Sequence, residues 1–205
     1  MKRLLLTCLF GFIVTGCTSM ADVTSRVAGV GTISEEKWVF DNTTVVTMSP
    51  AFLYAEGEWL GVDVKLGARW SSNSSDHVAL IMSYRSSKSG SGSDMYTNFS
   101  GLDVNIDGTI MSYKTGGFTS HADSGYNTVP KTSYNENKNS VILPLNVLKD
   151  MLAAEDCRLR IHTCEGYVDA QFSIERIPGG GGQGTAILSM REFVAKVESN
   201  RGASQ

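Results

Sequence analysis

The sequence predicts an α+β fold: a β-rich antiparallel sheet or sandwich with one mid-chain helix and a C-terminal helix. Three observations carry this. Val62, Val64, Leu66, Ala68 and Trp70 alternate with Asp63, Lys65 and Arg69. That period of two puts one strand face on a core and the other in water. Leu145, Leu148, Met151 and Leu152 instead recur at helical spacing. So do Ile187, Met190, Phe193, Val194 and Val197 near the C-terminus, where Thr185 is placed to cap a final helix.

The chain begins with a segment of another kind. Lys2 and Arg3 precede a nearly unbroken apolar run from Leu4 to Val14. At about 1.5 Å per residue this run reaches about 16 Å as a helix. A bilayer core is about 30 Å thick, so the run is too short to span one. A basic start, an apolar middle and small residues at the exit form the secretory signal pattern, which assigns residues 1–16 to a leader. The exit, Val14-Thr15-Gly16-Cys17, resembles the lipobox of bacterial lipoproteins. The resemblance implies that a diacylglycerol joins the Cys17 sulfur and that cleavage precedes Cys17. It also implies that the new amine is acylated, so that membrane lipid becomes a partner through Cys17. Thiol chemistry suits this step because a thiolate is an intrinsically strong nucleophile. Thr18, where aspartate would favour retention at the inner membrane of a two-membraned bacterium, implies an outer-membrane anchor with the domain facing the periplasm. Val14 departs from the leucine common at its position.

After Cys17, residues 17–34 are small and polar and are expected to form a flexible tether. Residues 35–198 are expected to form a single globular domain, with a disordered tail over 199–205. Lys37 to Met48 reads as two strands broken near Asp41-Asn42, and Ala51 to Glu56 as another short strand. Leu60 to Trp70 is the clearest strand, and His77 to Arg85 a more buried one. Ser86 to Ser93 is a low-complexity loop. Leu102 to Tyr113 reads as a hairpin turning at Asp107-Gly108. Gly116 to Asn139 is polar and loop-like. A helix starting at Leu145 is followed by a hairpin of Arg158–Thr163 and Tyr167–Ile174 across Glu165-Gly166. Gly179 to Gly184 (GGGGQG) reads as a hinge-like connector; its glycines lack the G-K-[ST] ending of a phosphate loop.

The chemistry-bearing residues are sparse. Asp103, Asn105 and Asp107 ahead of Gly108 match the first half of a calcium loop, but Lys114 stands where the closing carboxylate is required. Leu102, Val104 and Ile106 alternate between them as a half-buried strand would. The residues therefore read as a hairpin, with no metal expected. His77, His121 and His162 lack the spacing of a paired metal site. Ser75-Asp76-His77 and Ser120 to Ser124 place Ser, His and Asp together, but no nucleophile elbow occurs. Cys157 and Cys164 flank one candidate strand whose length, at about 3.3 Å per residue, holds them too far apart for a disulfide. Free thiols are expected, and a bridge would require the strand to be broken.

The formal net charge of −3 is spread without a basic stripe, which argues against nucleic acid. No motif asks for a cofactor. The segment from Trp70 to Ser140 is dense in Ser, Gly, Asn and Tyr, a composition suited to a recognition surface for an envelope protein or a glycan. The expectation is therefore a non-enzymatic binding, assembly or accessory protein at a cell-envelope membrane. The alternatives are an envelope hydrolase using residues near His77 or His121, and an inhibitor or immunity protein against an envelope-active toxin.

Overall fold

A computed structural model describes residues 20–55, 64–89, 97–127, 132–179 and 182–202. The leader, Cys17 and Thr18 lie outside the described residues, as do positions 60–63 of the clearest predicted strand. The fold is the expected α+β sandwich. Two antiparallel sheets face each other, and helices complete the layer on the smaller side.

The larger sheet is built from β1 (Ile33–Trp38), β2 (Thr43–Phe52), β3 (Val64–Ser71), β4 (His77–Ser89), β7 (Ser120–Asn127) and β8 (Thr132–Pro144), in the order β1-β2-β3-β4-β8-β7. Its register aligns inward side chains into rows across the strands. Val46, Trp70, Val78 and Leu143 form one row, and Met48, Ala68, Leu80 and Val141 the next. All eight are buried. The smaller sheet holds β5 (Phe99–Ile106), β6 (Thr109–Lys114), β9 (Cys157–Thr163) and β10 (Gly166–Gln171), in the order β10-β9-β5-β6. Its inner rows are Val168–Ile161–Leu102–Tyr113 and Ala170–Leu159–Val104–Met111. β5 and β6 lie against β8, while the helix α3 (Ala186–Gly202) lies on β1, β2 and β3. The short helix α2 (Leu145–Ala153) touches β4, β8 and α3. The larger sheet is therefore covered along one half by the smaller sheet and along the other by α3.

Several expectations change at this level. Residues 17–34 are not all tether: α1 (Met20–Val27) is a helix, and β1 starts at Ile33. α1 is held by an ion pair from Arg26 to Glu192 and by the Ser25 hydroxyl donating to Gln183 Oε1 at 2.9 Å. The expected tail from residue 199 is helical through Gly202 because α3 continues, with Arg201 donating to Asp76 at 2.8 Å. The stretch Ala51 to Phe52 is no separate strand. It continues β2 across a bulge between Met48 and Ala51 that accommodates Pro50, which has no N–H for the ladder. Gly67 faces that bulge, where a Cβ would lie 2.7 Å from the Met48 carbonyl oxygen. Ser86 to Ser89 belong to β4 rather than to a loop. Thr185 does not cap α3, since its hydroxyl donates to the Ile174 carbonyl. The described part of the glycine-rich segment is tied rather than hinge-like: Arg176 and Gly184 form a β-bridge, and the Ile177 amide donates to Gln183 O at 2.9 Å.

Most of the expected loop over Gly116 to Asn139 is strand. In β8, Asn135, Asn137 and Asn139 point inward and are 1 %, 0 % and 7 % exposed. Burying an amide is unfavourable unless it is hydrogen-bonded. Asn137 Nδ2 donates to Ser86 Oγ at 3.1 Å and to Tyr84 O at 3.3 Å, and its Oδ1 lies 2.6 Å from His121 Nδ1. Asn139 Nδ2 donates to Thr119 Oγ1 at 3.2 Å. Asn135 Oδ1 alone of the three amides is without a partner.

Candidate functional site

The outer face of the smaller sheet concentrates the polar side chains. Because β-strand side chains alternate, the residues between the inner rows form outer rows of their own. One row runs Asp169–Arg160–Asp103–Ser112 and the next Gln171–Arg158–Asn105–Ile110. Tyr167 and His162 form the start of a third. An open groove of about 340 Å³ lies over these rows, lined chiefly by Asp103, Asn105, Arg158, Arg160, Asp169 and Gln171.

The charges in the groove are paired within it. Arg160 donates from Nε and Nη2 to the two carboxylate oxygens of Asp169, each at 2.7 Å. This two-pronged geometry matches a planar guanidinium to a planar carboxylate. It holds the Asp169 carboxyl below the usual range and raises the Arg160 guanidinium further still. The same guanidinium lies 4.0 Å from the centre of the Tyr167 ring. Arg158 pairs with Asp156 at 3.0 Å. Asp103 accepts from the Ser112 hydroxyl and meets His162 Nε2 at 2.7 Å; these two bonds, the serine's first, lower its carboxyl. Two cations, two carboxylates and a histidine thus stand fixed on a flat surface with their charges largely cancelled.

Ser112, Asp103 and His162 bring a serine, an aspartate and a histidine together, but in the wrong order for nucleophilic catalysis. In a triad the histidine stands between the other two and takes the serine proton. Here the carboxylate is in the middle and the serine hydroxyl points to it. A carboxylate held below its usual range is a weak base, so the arrangement fixes an acceptor and activates no nucleophile.

The other sequence candidates are dispersed. His77 is exposed at the start of β4. Its neighbour Asp76 accepts from Arg201, and the Ser75 carbonyl accepts from Trp70 Nε1 at 2.9 Å. His121 sits on Asn137 at the far edge of the larger sheet. Asp103, Asn105 and Asp107 do not converge on a common point: Asn105 Oδ1 accepts from the Gly108 amide at 2.8 Å, and Asp107 Oδ1 from the Asp156 amide at 2.8 Å. Among the described residues no group of three or more His, Cys, Asp or Glu is placed to hold a metal ion. Cys157 and Cys164 are both free, one buried and the other exposed, at the two ends of a continuous strand. Burial, helped by Asp156 and Asp107, pushes the Cys157 thiol up to about 12, so it is unreactive at neutral pH.

Sequence reasoning marked Asp103 and Asn105 as a weak calcium pattern and missed Arg158, Arg160 and Asp169. The signal was present as the polar half of each alternating strand. What the chain does not display is that β5 and β9, far apart in sequence, are neighbours.

No family model matches the chain, and neither a curated protein nor a solved structure matches it. Among the described residues no helix is long and apolar enough to cross a membrane.

Proposed function

We propose that the protein is a lipid-anchored, non-enzymatic binding protein of the bacterial cell envelope, and that its groove takes an uncharged polar ligand, a glycan. The anchor rests on the Val14-Thr15-Gly16-Cys17 segment, and Thr18 favours the outer membrane. The binding role rests on one observation, the charge-paired outer rows of the smaller sheet. Arg160 and Asp169 neutralise each other, as do Arg158 and Asp156, so the groove presents little net field to an ion. It does present fixed donors and acceptors in a plane, with Asn105, Gln171 and the exposed Tyr167 beside them. Such preorganised planar groups suit hydroxyl-rich ligands, since little ordering remains to be done on binding.

The test has two arms. Mass spectrometry of the N-terminal peptide of membrane-extracted protein is expected to find it starting at Cys17 with diacylglycerol; an unmodified peptide starting elsewhere overturns the anchor. Titration with soluble amino-sugar oligosaccharides, followed by amide chemical shifts, is expected to move β5 and β9 resonances. Arg160→Ala is expected to abolish those shifts while the melting curve is preserved. Shifts that persist in that variant, or no shifts in the parent protein, overturn the groove.

A further inference from the structure

The hairpin joining β1 to β2 carries the sequence Trp38-Val39-Phe40 at its apex. Val39 is 92 % exposed, Phe40 107 % and Trp38 45 %. Exposed apolar residues scattered singly are ordinary, but three in succession at the tip of an edge hairpin are not. None of the three belongs to the core.

We propose that this apex enters the interfacial region of a lipid bilayer. This deepens the envelope reading above and rests on it for the membrane concerned. Three features select a bilayer over a protein. The first is area. At the surface usual for such side chains the apex offers roughly 400 Å², about half of the roughly 800 Å² per partner that a stable protein interface buries. The second is backbone satisfaction. The strands stay paired up to Trp38 and Thr43, and the Thr43 amide donates to Asp41 Oδ1 at 3.1 Å. Apolar side chains can then enter a lipid surface without carrying unpaired backbone groups with them. The third is the flank. The Arg69 guanidinium lies 5.3 Å from the centre of the Trp38 ring, and Lys37 precedes it. Tryptophan beside cations is the composition of the membrane–water boundary, where the ring sits at headgroup level.

The test uses membrane-extracted protein with its native N-terminus, reconstituted into phosphatidylethanolamine–phosphatidylglycerol vesicles whose acyl chains are brominated near the headgroup. Subtracting the emission of Trp38→Phe isolates the Trp38 signal. Trp70, buried beneath the sheet, serves as an unquenched reference. The Trp38 signal is expected to be strongly quenched, and Val39→Asp with Phe40→Asp to abolish that quenching without changing the melting temperature. A Trp38 signal that stays unquenched while the protein floats with the vesicles overturns the proposal. So does a Trp38 signal that shifts with protein concentration and ignores bromolipid, which would show a second copy on the apex. If the N-terminus carries no lipid, the anchoring reading fails by itself, and quenching of added vesicles still decides the apex.

Discussion

Two hairpins of this molecule share a topology and differ in what their side chains are for. In β5–β6 the turn is Asp107-Gly108, with φ of 48° and 94°. Both residues of a type I′ turn need positive φ, which glycine and aspartate tolerate. Asn105 closes this turn, while the Asp107 amide and carboxylate both bond to Asp156, immediately before β9. In β1–β2 residues 39–42 connect the strands, and Asn42 has φ of 56°. Here too a short polar side chain, Asp41, holds the turn. Val39 and Phe40, however, contact none of the core. The polar hairpin's side chains hold the fold together. The apolar hairpin presents hydrocarbon to the outside and draws its stability from its backbone pairing alone. Residues that fold the protein and residues that meet a partner are thus separable, and substitutions should separate them.

The sharpest contrast is between two tryptophans. Trp70 is 2 % exposed in the middle of the larger sheet and donates its indole N–H to Ser75 O. Trp70→Ala is expected to lose about 3–5 kcal/mol of stability. Trp38→Ala gives up only an exposed contact with Arg69 and is expected to lose less than about 0.5 kcal/mol. Urea unfolding of both variants checks this, and a comparable loss in the two would show that the apolar apex is packed after all. The turns come next. Asp107→Val puts a β-branched residue at positive φ and removes the bond to the Asp156 amide, a loss of about 2 kcal/mol. Phe40→Ser is expected to stay within about 0.5 kcal/mol of the parent. Equal midpoints for Asp107→Val and Phe40→Ser would break the comparison.

The sequence displayed one of these hairpins more fully than the other. Asp107-Gly108 between alternating apolar residues is a strong local signal, and the structure turns there. A break near Asp41-Asn42 was legible too, but not that Val39 and Phe40 would be left outside the core. Apolar residues in a strand pair imply burial, and only the edge position of β1 denies it to them. The converse error lies in β8. Asn135, Asn137 and Asn139 are buried, while Tyr134, Glu136 and Lys138 alternate with them on the other face. With polar residues in both phases, hydropathy carries no period, so the strand looks like a loop. α1 was hidden for a related reason, since it is held by single polar contacts rather than by an apolar stripe. The outer rows of the smaller sheet were half legible. Each strand revealed its polar phase, but the pairing of Arg160 with Asp103 requires the register of β9 on β5, which no local pattern encodes.

The smallest expected effect lies in acid. Asp103, in β5 of the polar hairpin, is held below the usual carboxylate range, first by the Ser112 hydroxyl and then by His162. Across the same row Asp169 is lowered by Arg160. A carboxyl whose folded pKa lies below its unfolded one releases its proton more readily in the folded state. Its contribution to stability is therefore complete above the ordinary value of about 3.9 and is lost as pH falls through the folded value. Asp103 is partly exposed, at 28 % of its side chain, so solvent screening keeps this contribution below about 1 kcal/mol. Asp103→Asn removes the titration while keeping a group of nearly the same shape. Its urea midpoint is expected to fall less steeply than the parent's between about pH 5 and pH 3, the two curves converging at the acid end. Phe40→Ser supplies the control from the other hairpin. It changes no titrating group, so its curve should run parallel to the parent's through the same window. If Asp103→Asn follows the parent's acid limb without flattening, Asp103 is not held by Ser112 and His162 in solution. The polar face would then be less ordered than its geometry requires, and the fixed acceptors of the groove would be lost with it.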